Sequence, residues 1–123
     1  MFSGLHILLV EDHADSALLM CRFLARLGCE VVHAGDVQSA LASAREKLPG
    51  LVMTDLSLPD GDGISLIRAI RELGPVPAMA ISGHPMEEHW GEVFQHHFIK
   101  PLDWKALEST LESFRREMEP VEK

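Results

Sequence analysis

Residues 52–63 read VMTDLSLPDGDG. An apolar run stops at Asp55, and a loop with one proline and two glycines follows at once. A strand end that needed only solubility could take any polar residue. A carboxylate there becomes informative when neighbouring strands end in groups that can reach it. The meaning of Asp55 therefore depends on where the other strands lie and on what ends them.

Apolar runs alternate with helical patterns along the whole chain. LHILLV (5–10) is a short apolar run closed by the acids Glu11 and Asp12, as a buried strand would be. From Ala14 to Leu27 the residues Leu19, Met20, Phe23, Leu24 and Leu27 recur at helical spacing, and Gly28 suits a left-handed C-terminal cap. EVVHA (30–34) predicts a second strand. Asp36 predicts an N-cap for a helix over 37–48 with a stripe of Val37, Leu41, Ala44 and Leu48, ended by Pro49-Gly50. LVMT (51–54) is the third strand. The next helix carries Ile64, Ile67, Ala69 and Ile70 and stops at Gly74-Pro75. AMAIS (78–82) is the fourth strand, and a weak helix is expected near 86–94. HFI (97–99) is a short fifth strand, after which Asp103 caps a helix with Leu107, Thr110, Leu111 and Phe114 inward.

Five strand–helix alternations predict an α/β fold, a doubly wound five-stranded parallel sheet covered by helices on both faces. In such sheets ligands bind outside the carboxyl ends of the strands. Those ends carry Glu11 and Asp12 after the first strand, Asp55 at the third, Ser82 at the fourth and Lys100 after the fifth. Carboxylates held close repel one another, and a cation relieves the repulsion. Hard oxygen ligands suit Mg²⁺, with Mn²⁺ as a substitute. A lysine and a hydroxyl add donors for further oxygens, and a carboxylate can accept a phosphoryl group as an acyl phosphate.

The bulk numbers agree with a single intracellular domain. The chain has 123 residues, of which 46% are apolar, enough for a core without disulfides. Its net charge of −8 argues against a nucleic-acid surface. Cys21 and Cys29 fit no metal spacing or disulfide framework and are expected to be reduced thiols in a cytoplasmic protein. No apolar run approaches the ~20 residues of a membrane span. The last residues, 117–123, form a charged tail to a core over 5–116.

The pieces LLVEDH, TDLSLPDGDG, ISG and FIKP, in this order, resemble the receiver domain of two-component response regulators. The similarity covers nearly all of residues 5–116. It implies a flavodoxin-like sheet of order 2-1-3-4-5. It implies Asp55 as phosphoacceptor and a Mg²⁺ site of Glu11, Asp12, Asp55 and the backbone carbonyl of Ser57. Ser82 would bind the phosphoryl group, Lys100 would form a salt bridge, and the Lys100–Pro101 peptide would be cis. His97 stands where the family often has a rotating Tyr or Phe. His84 would line the entrance and, with Ser57, tune hydrolysis. The implied partners are a histidine kinase or histidine phosphotransfer protein and an output protein docking through Trp90, Phe94 and Trp104. A monomer or weak dimer is expected, without nucleic acid or membrane. ISGHPMEE resembles receivers joined to hybrid histidine kinases, so the chain is expected to be either a stand-alone receiver or part of such a protein.

Competing classes fit less well. A haloacid-dehalogenase-like phosphatase wants a second aspartate where Ser57 stands. A flavodoxin-like phosphate loop would not place Glu11 and Asp12 after the first strand. The G-x-x-x-x-G-K motif is absent, and residues 58–63 lack the spacing of a calcium loop. The seven histidines are expected on the surface or in loops. A receiver serving only as an interaction scaffold is the alternative, and the complete set of polar positions speaks against it.

Overall fold

The computed structural model describes residues 5–83, 91–100 and 102–118. Strands β1 (His6–Val10), β2 (Glu30–Ala34), β3 (Leu51–Asp55), β6 (Ala78–Ser82) and β7 (His96–Ile99) form a five-stranded sheet in the order β2-β1-β3-β6-β7. All four neighbouring pairs are parallel. Counting only the strands of this sheet, the order is the expected 2-1-3-4-5. β3 and β6 are buried at every position, because each has a neighbour on both sides and helices on both faces. This is why their sequences run apolar without alternation.

Alternate side chains feed two core layers. Leu8, Val10, Val52, Ala78 and Ala80 point to one face and pack with Ala40 and Ala44 of α2 (Val37–Glu46) and with Leu66, Ile67 and Ile70 of α3 (Gly63–Arg71). Ile7, Leu9, Leu51, Met53, Met79 and Ile81 point to the other. They pack with Met20 and Leu24 of α1 (Ala14–Arg26) and with Leu107, Leu111 and Phe114 of α4 (Trp104–Met118).

Several local expectations hold. Asp36 Oδ1 accepts from the Ser39 N–H at 2.7 Å, and Asp103 Oδ1 accepts from Lys105 and Ala106 at 3.0 and 3.1 Å, so both aspartates cap their helices. Gly28 has φ 97°, the left-handed conformation that ends α1.

Others need correction. Leu19 is exposed and Ala17 takes its place inside, because Leu19 sits about 100° round the helix from the buried Met20. Leu48 lies beyond the last residue of α2 and is exposed, so the small residues Ala40 and Ala44 close that face. Leu66 is fully buried in α3, while Ile64 and Ala69 are only partly so. The N-cap of α1 is His13, without a side-chain cap bond. The loop after Asp55 is a two-stranded hairpin, β4 (Ser57–Leu58) against β5 (Gly61–Asp62). Asp60 at its tip accepts from the Val37 and Gln38 N–H groups at 2.7 and 3.1 Å, pinning the hairpin to the start of α2. The helix expected near 86–94 falls mostly outside the described residues. Residues 91–92 lie in a 3-10 turn.

Candidate functional site

The sheet register brings the expected residues to one rim. Val10 pairs with Thr54, so Glu11 and Asp55, each one step further on, stand level at the ends of adjacent strands. Asp55 pairs with Ile81 and Ser82 with Ile99, which puts Ser82 and then Lys100 at the same edge. The backbone continues this pattern: Glu11 N–H donates to the Ala34 carbonyl at 3.0 Å, and Lys100 N–H donates to the Ser82 carbonyl at 2.8 Å. Gly63 lets α3 start close against Asp55. A Cβ at Gly63 would lie 2.5 Å from the Asp55 carbonyl oxygen, a clash of backbone that nothing nearby could relieve.

The charges at this rim are organised by one amine. Lys100 Nζ donates to Glu11 Oε1 at 2.7 Å and to Asp55 Oδ2 at 2.9 Å. Glu11 is 1% exposed and Lys100 28% exposed, so the bridge is shielded but not sealed. Burial alone would lower the Lys100 pKa. Hydrogen bonds and Coulomb attraction from Glu11 and Asp55 outweigh it and raise the value above that of an ordinary lysine. The remaining Asp55 oxygen, Oδ1, accepts from the Ser57 N–H at 3.3 Å. His33 Nε2 lies 2.7 Å from the Glu11 carbonyl; a carbonyl only accepts, so this nitrogen carries the proton.

Asp12, Asp55, Ser57, Ser82, Gly83 and Lys100 line one cavity of about 580 Å³. Ser82 is buried, and its Oγ lies 2.9 Å from His97 Nε2. Burial lowers the His97 pKa and so favours the neutral ring. Glu11, Asp12, His13 and Asp55 each offer a ligand atom, all within 4.8 Å of one another, so the group can hold a metal ion. An oxygen-rich set of this kind suits a hard divalent cation. Acids beside an ammonium and a hydroxyl can bind an oxyanion jointly with a cation and stabilise charge moving onto it.

Some placements differ from expectation. Phe94 is buried in the core and cannot serve as an exposed docking residue, because the chain just before β7 turns inward beneath the sheet edge with Val93. Trp104 is 37% exposed and leans on Phe23 of α1, with ring centroids 4.8 Å apart. His84, Trp90 and Pro101, with its expected cis peptide, lie outside the described residues. The expectation of loop or surface histidines did not assign His13 to the acidic group. Its place directly after Glu11-Asp12, in the same turn, was the available signal.

Among the described residues, no helix is long and apolar enough to cross a membrane. A family model described as the response regulator receiver domain matches residues 7–112. The transcription factor SKN7 of Saccharomyces cerevisiae is 30% identical over 123 residues, 96% of this chain and 20% of that protein. The KDP operon transcriptional regulatory protein KdpE of Escherichia coli is 35% identical over 82 residues, 67% of this chain and 36% of that protein. The chain thus spans between a fifth and about a third of these relatives. A CheY-like receiver domain from Methylobacillus flagellatus superposes with a TM-score of 0.82 at 28% identity, covering 88% of this chain and 96% of that one. The receiver domain of the hybrid histidine kinase CckA does so with a TM-score of 0.75 at 32% identity, with the same coverage. Sheet order, rim and family match agree: the chain belongs to the receiver domains of response regulators, regulatory modules of two-component systems.

Proposed function

We propose that the chain is a phosphorylation-controlled switch with Asp55 as its phosphoacceptor. The observation that carries this is the Lys100 ammonium held between Glu11 and Asp55, with Ser82 lining the same cavity. A histidine kinase or histidine phosphotransfer protein is the donor. A phosphorus–oxygen bond forms at the Asp55 carboxylate as the donor's phosphorus–nitrogen bond breaks, and the imidazole leaves. Glu11, Asp12, Asp55 and the Ser57 carbonyl would hold Mg²⁺, or Mn²⁺ in its place. When bound, such an ion neutralises charge on the transferring group. Lys100 and Ser82 then pair with phosphoryl oxygens.

The domain is regulatory, and its own side chains supply the groups for both gain and loss of the phosphoryl group. Ser57 and His84 tune the loss to water. When Ser82 turns toward the phosphoryl group, its bond to His97 must break or reverse. The change at β6 thereby reaches β7 and the output surface beside it, for which Trp90 and Trp104 are the proposed docking aromatics. A coupling of about 1–3 kcal/mol suffices for a useful shift. The receiver core is residues 5–116, acting in the cytoplasm as a monomer or weak dimer and touching no nucleic acid itself.

Incubation with acetyl phosphate, with and without Mg²⁺, followed by intact mass measurement tests this. One added phosphoryl group, dependent on the metal and absent in Asp55→Asn, is expected. An unmodified wild-type mass would favour a scaffold role instead.

A further inference from the structure

His13 is a surface histidine with an unusual neighbourhood. It holds the N-cap position of α1, yet its ring makes no cap bond to the helix. The ring turns the other way, toward the acids. Nδ1 donates to Glu11 Oε2 at 3.3 Å and lies 3.4 Å from Asp12 Oδ1. The His13 backbone N–H also donates to Glu11 Oε2, at 3.2 Å, which fixes the turn that aims the ring. The Glu11 oxygen concerned is not the one that Lys100 holds. The bridge therefore leaves this corner of the acidic group open to a second cation.

Spacing decides what that corner can hold. Two donors bound to one octahedral ion at about 2.1 Å stand about 3.0 Å apart when adjacent and about 4.2 Å apart when opposite. The two His13 separations match adjacent ligands to within a few tenths of an ångström. All four ligand atoms of Glu11, Asp12, His13 and Asp55 lie within 4.8 Å of one another, so small side-chain shifts would place them on one ion. The His13 side chain is 70% exposed and has room for such a shift.

We propose that His13 is a ligand of the divalent cation through Nδ1, giving the acidic rim an imidazole donor beside its carboxylates. This rests on the reading of that rim as a metal site. The chemical consequence is selectivity. Carboxylate, carbonyl and water oxygens suit Mg²⁺, whereas imidazole binds first-row transition ions better. The site therefore favours Mn²⁺ or Co²⁺ over Mg²⁺ by more than an all-oxygen site would. For Nδ1 to take the metal, the proton it now donates to Glu11 must leave, so that the neutral ring keeps its proton on Nε2, which faces away from the ion.

Pulsed electron paramagnetic resonance of the full chain loaded with Mn²⁺ tests this directly. Wild type is expected to show nitrogen hyperfine coupling to the bound ion, and His13→Ala is expected to bind Mn²⁺ without it. Outer partners of metal ligands already change affinity by about 10–100-fold, so losing a ligand should weaken Mn²⁺ at least about tenfold. Mg²⁺, titrated by competition, should weaken much less. His13→Gln, which keeps polarity but not the imidazole, should behave like His13→Ala. Tight Mn²⁺ binding without nitrogen coupling would overturn the role of His13 and leave the metal site standing. Coupling that survives His13→Ala but vanishes in His84→Ala would overturn it in favour of another imidazole. Failure of wild type to bind Mn²⁺ at all would remove both readings together.

Discussion

At the amino ends of the strands the backbone closes on itself. Glu30 N–H donates to the Leu5 carbonyl and Gly50 N–H to the His6 carbonyl, both at 2.8 Å, and Val52 N–H to the Pro77 carbonyl at 3.0 Å. Where β6 begins, Gln95 and Ala78 exchange two bonds, at 2.9 Å through the Ala78 carbonyl and at 2.7 Å through Gln95 Oε1. Every partner named there is neutral. At the carboxyl ends, by contrast, lie the buried polar side chains Glu11, Thr54, Asp55 and Ser82, with Lys100 between two of them. Burying charge is expensive, and an ion pair often does no better than the apolar residues that could replace it. Buried charges therefore gather at the carboxyl end, a cost that stability alone does not explain, while the amino end carries a smaller cost in the unpaired buried His6 Nδ1.

The sharpest way to break this contrast is to remove the amine. Lys100→Met leaves the carboxylates of Glu11 and Asp55 facing each other without their shared cation. Breaking a buried pair costs 3–5 kcal/mol, and partial exposure of Lys100 reduces this to about 2 kcal/mol. Labelling by acetyl phosphate should fall about 100-fold, the scale of losing a donor to the reacting group. Adding Glu11→Gln should recover part of the stability and none of the labelling. Urea denaturation beside mass measurement separates the two effects. If Lys100→Met labels normally, the bridge is only structural.

At the opposite end the effects should dissociate the other way. Gln95→Ala leaves the buried Ala78 N–H without its acceptor and should cost about 1–2 kcal/mol. Gly28→Ala forces a side chain into the left-handed region and should cost about 1 kcal/mol. Neither should change the rate of labelling, because neither residue reaches the carboxyl rim. A labelling defect in either, at full folding, would show that the two ends are coupled.

The contrast also explains what could be read from sequence. The existence of five buried parallel strands followed from apolar runs and spacing, because such strands must be apolar throughout, whereas their order came only from the resemblance to receiver domains. The rim residues followed from their position after each run. Their pairing did not: Lys100 meets Glu11 across 89 residues, and no local pattern encodes which of two nearby carboxylates an amine selects. The same holds for Ser82 with His97, where a familiar position suggested a rotating ring rather than a hydrogen-bond partner. The hairpin at 57–62 was missed because two-residue strands carry no periodicity. The misplaced Leu19 and Leu48 show the converse error. Leucine is a weak guide to burial at the edge of a helix face, whereas Ala17 and Ala40, both buried, were too small to attract notice.

The smallest expected effect is a pH dependence confined to the bridge. Lys100 has a raised pKa in the folded chain, since Glu11 and Asp55 outweigh its burial. A base whose folded value is raised stabilises the fold fully below its unfolded pKa, about 10.4, and loses that contribution as pH climbs through the folded value. Wild-type stability should therefore decline in alkaline solution. Cys29 declines in the same direction, because burial pushes its thiol up to about 11 from 9.0. A single denaturation series cannot separate the two. The difference between wild type and Lys100→Met can, since Cys29 is common to both and cancels. That difference should stay flat from about pH 7 to pH 10 and shrink above about pH 10.4. The same subtraction applied to Gln95→Ala should stay flat throughout, because no charge is lost at the amino end. A difference for Lys100→Met that is unchanged up to pH 12 would mean that the amine contributes by packing its stem rather than by its charge.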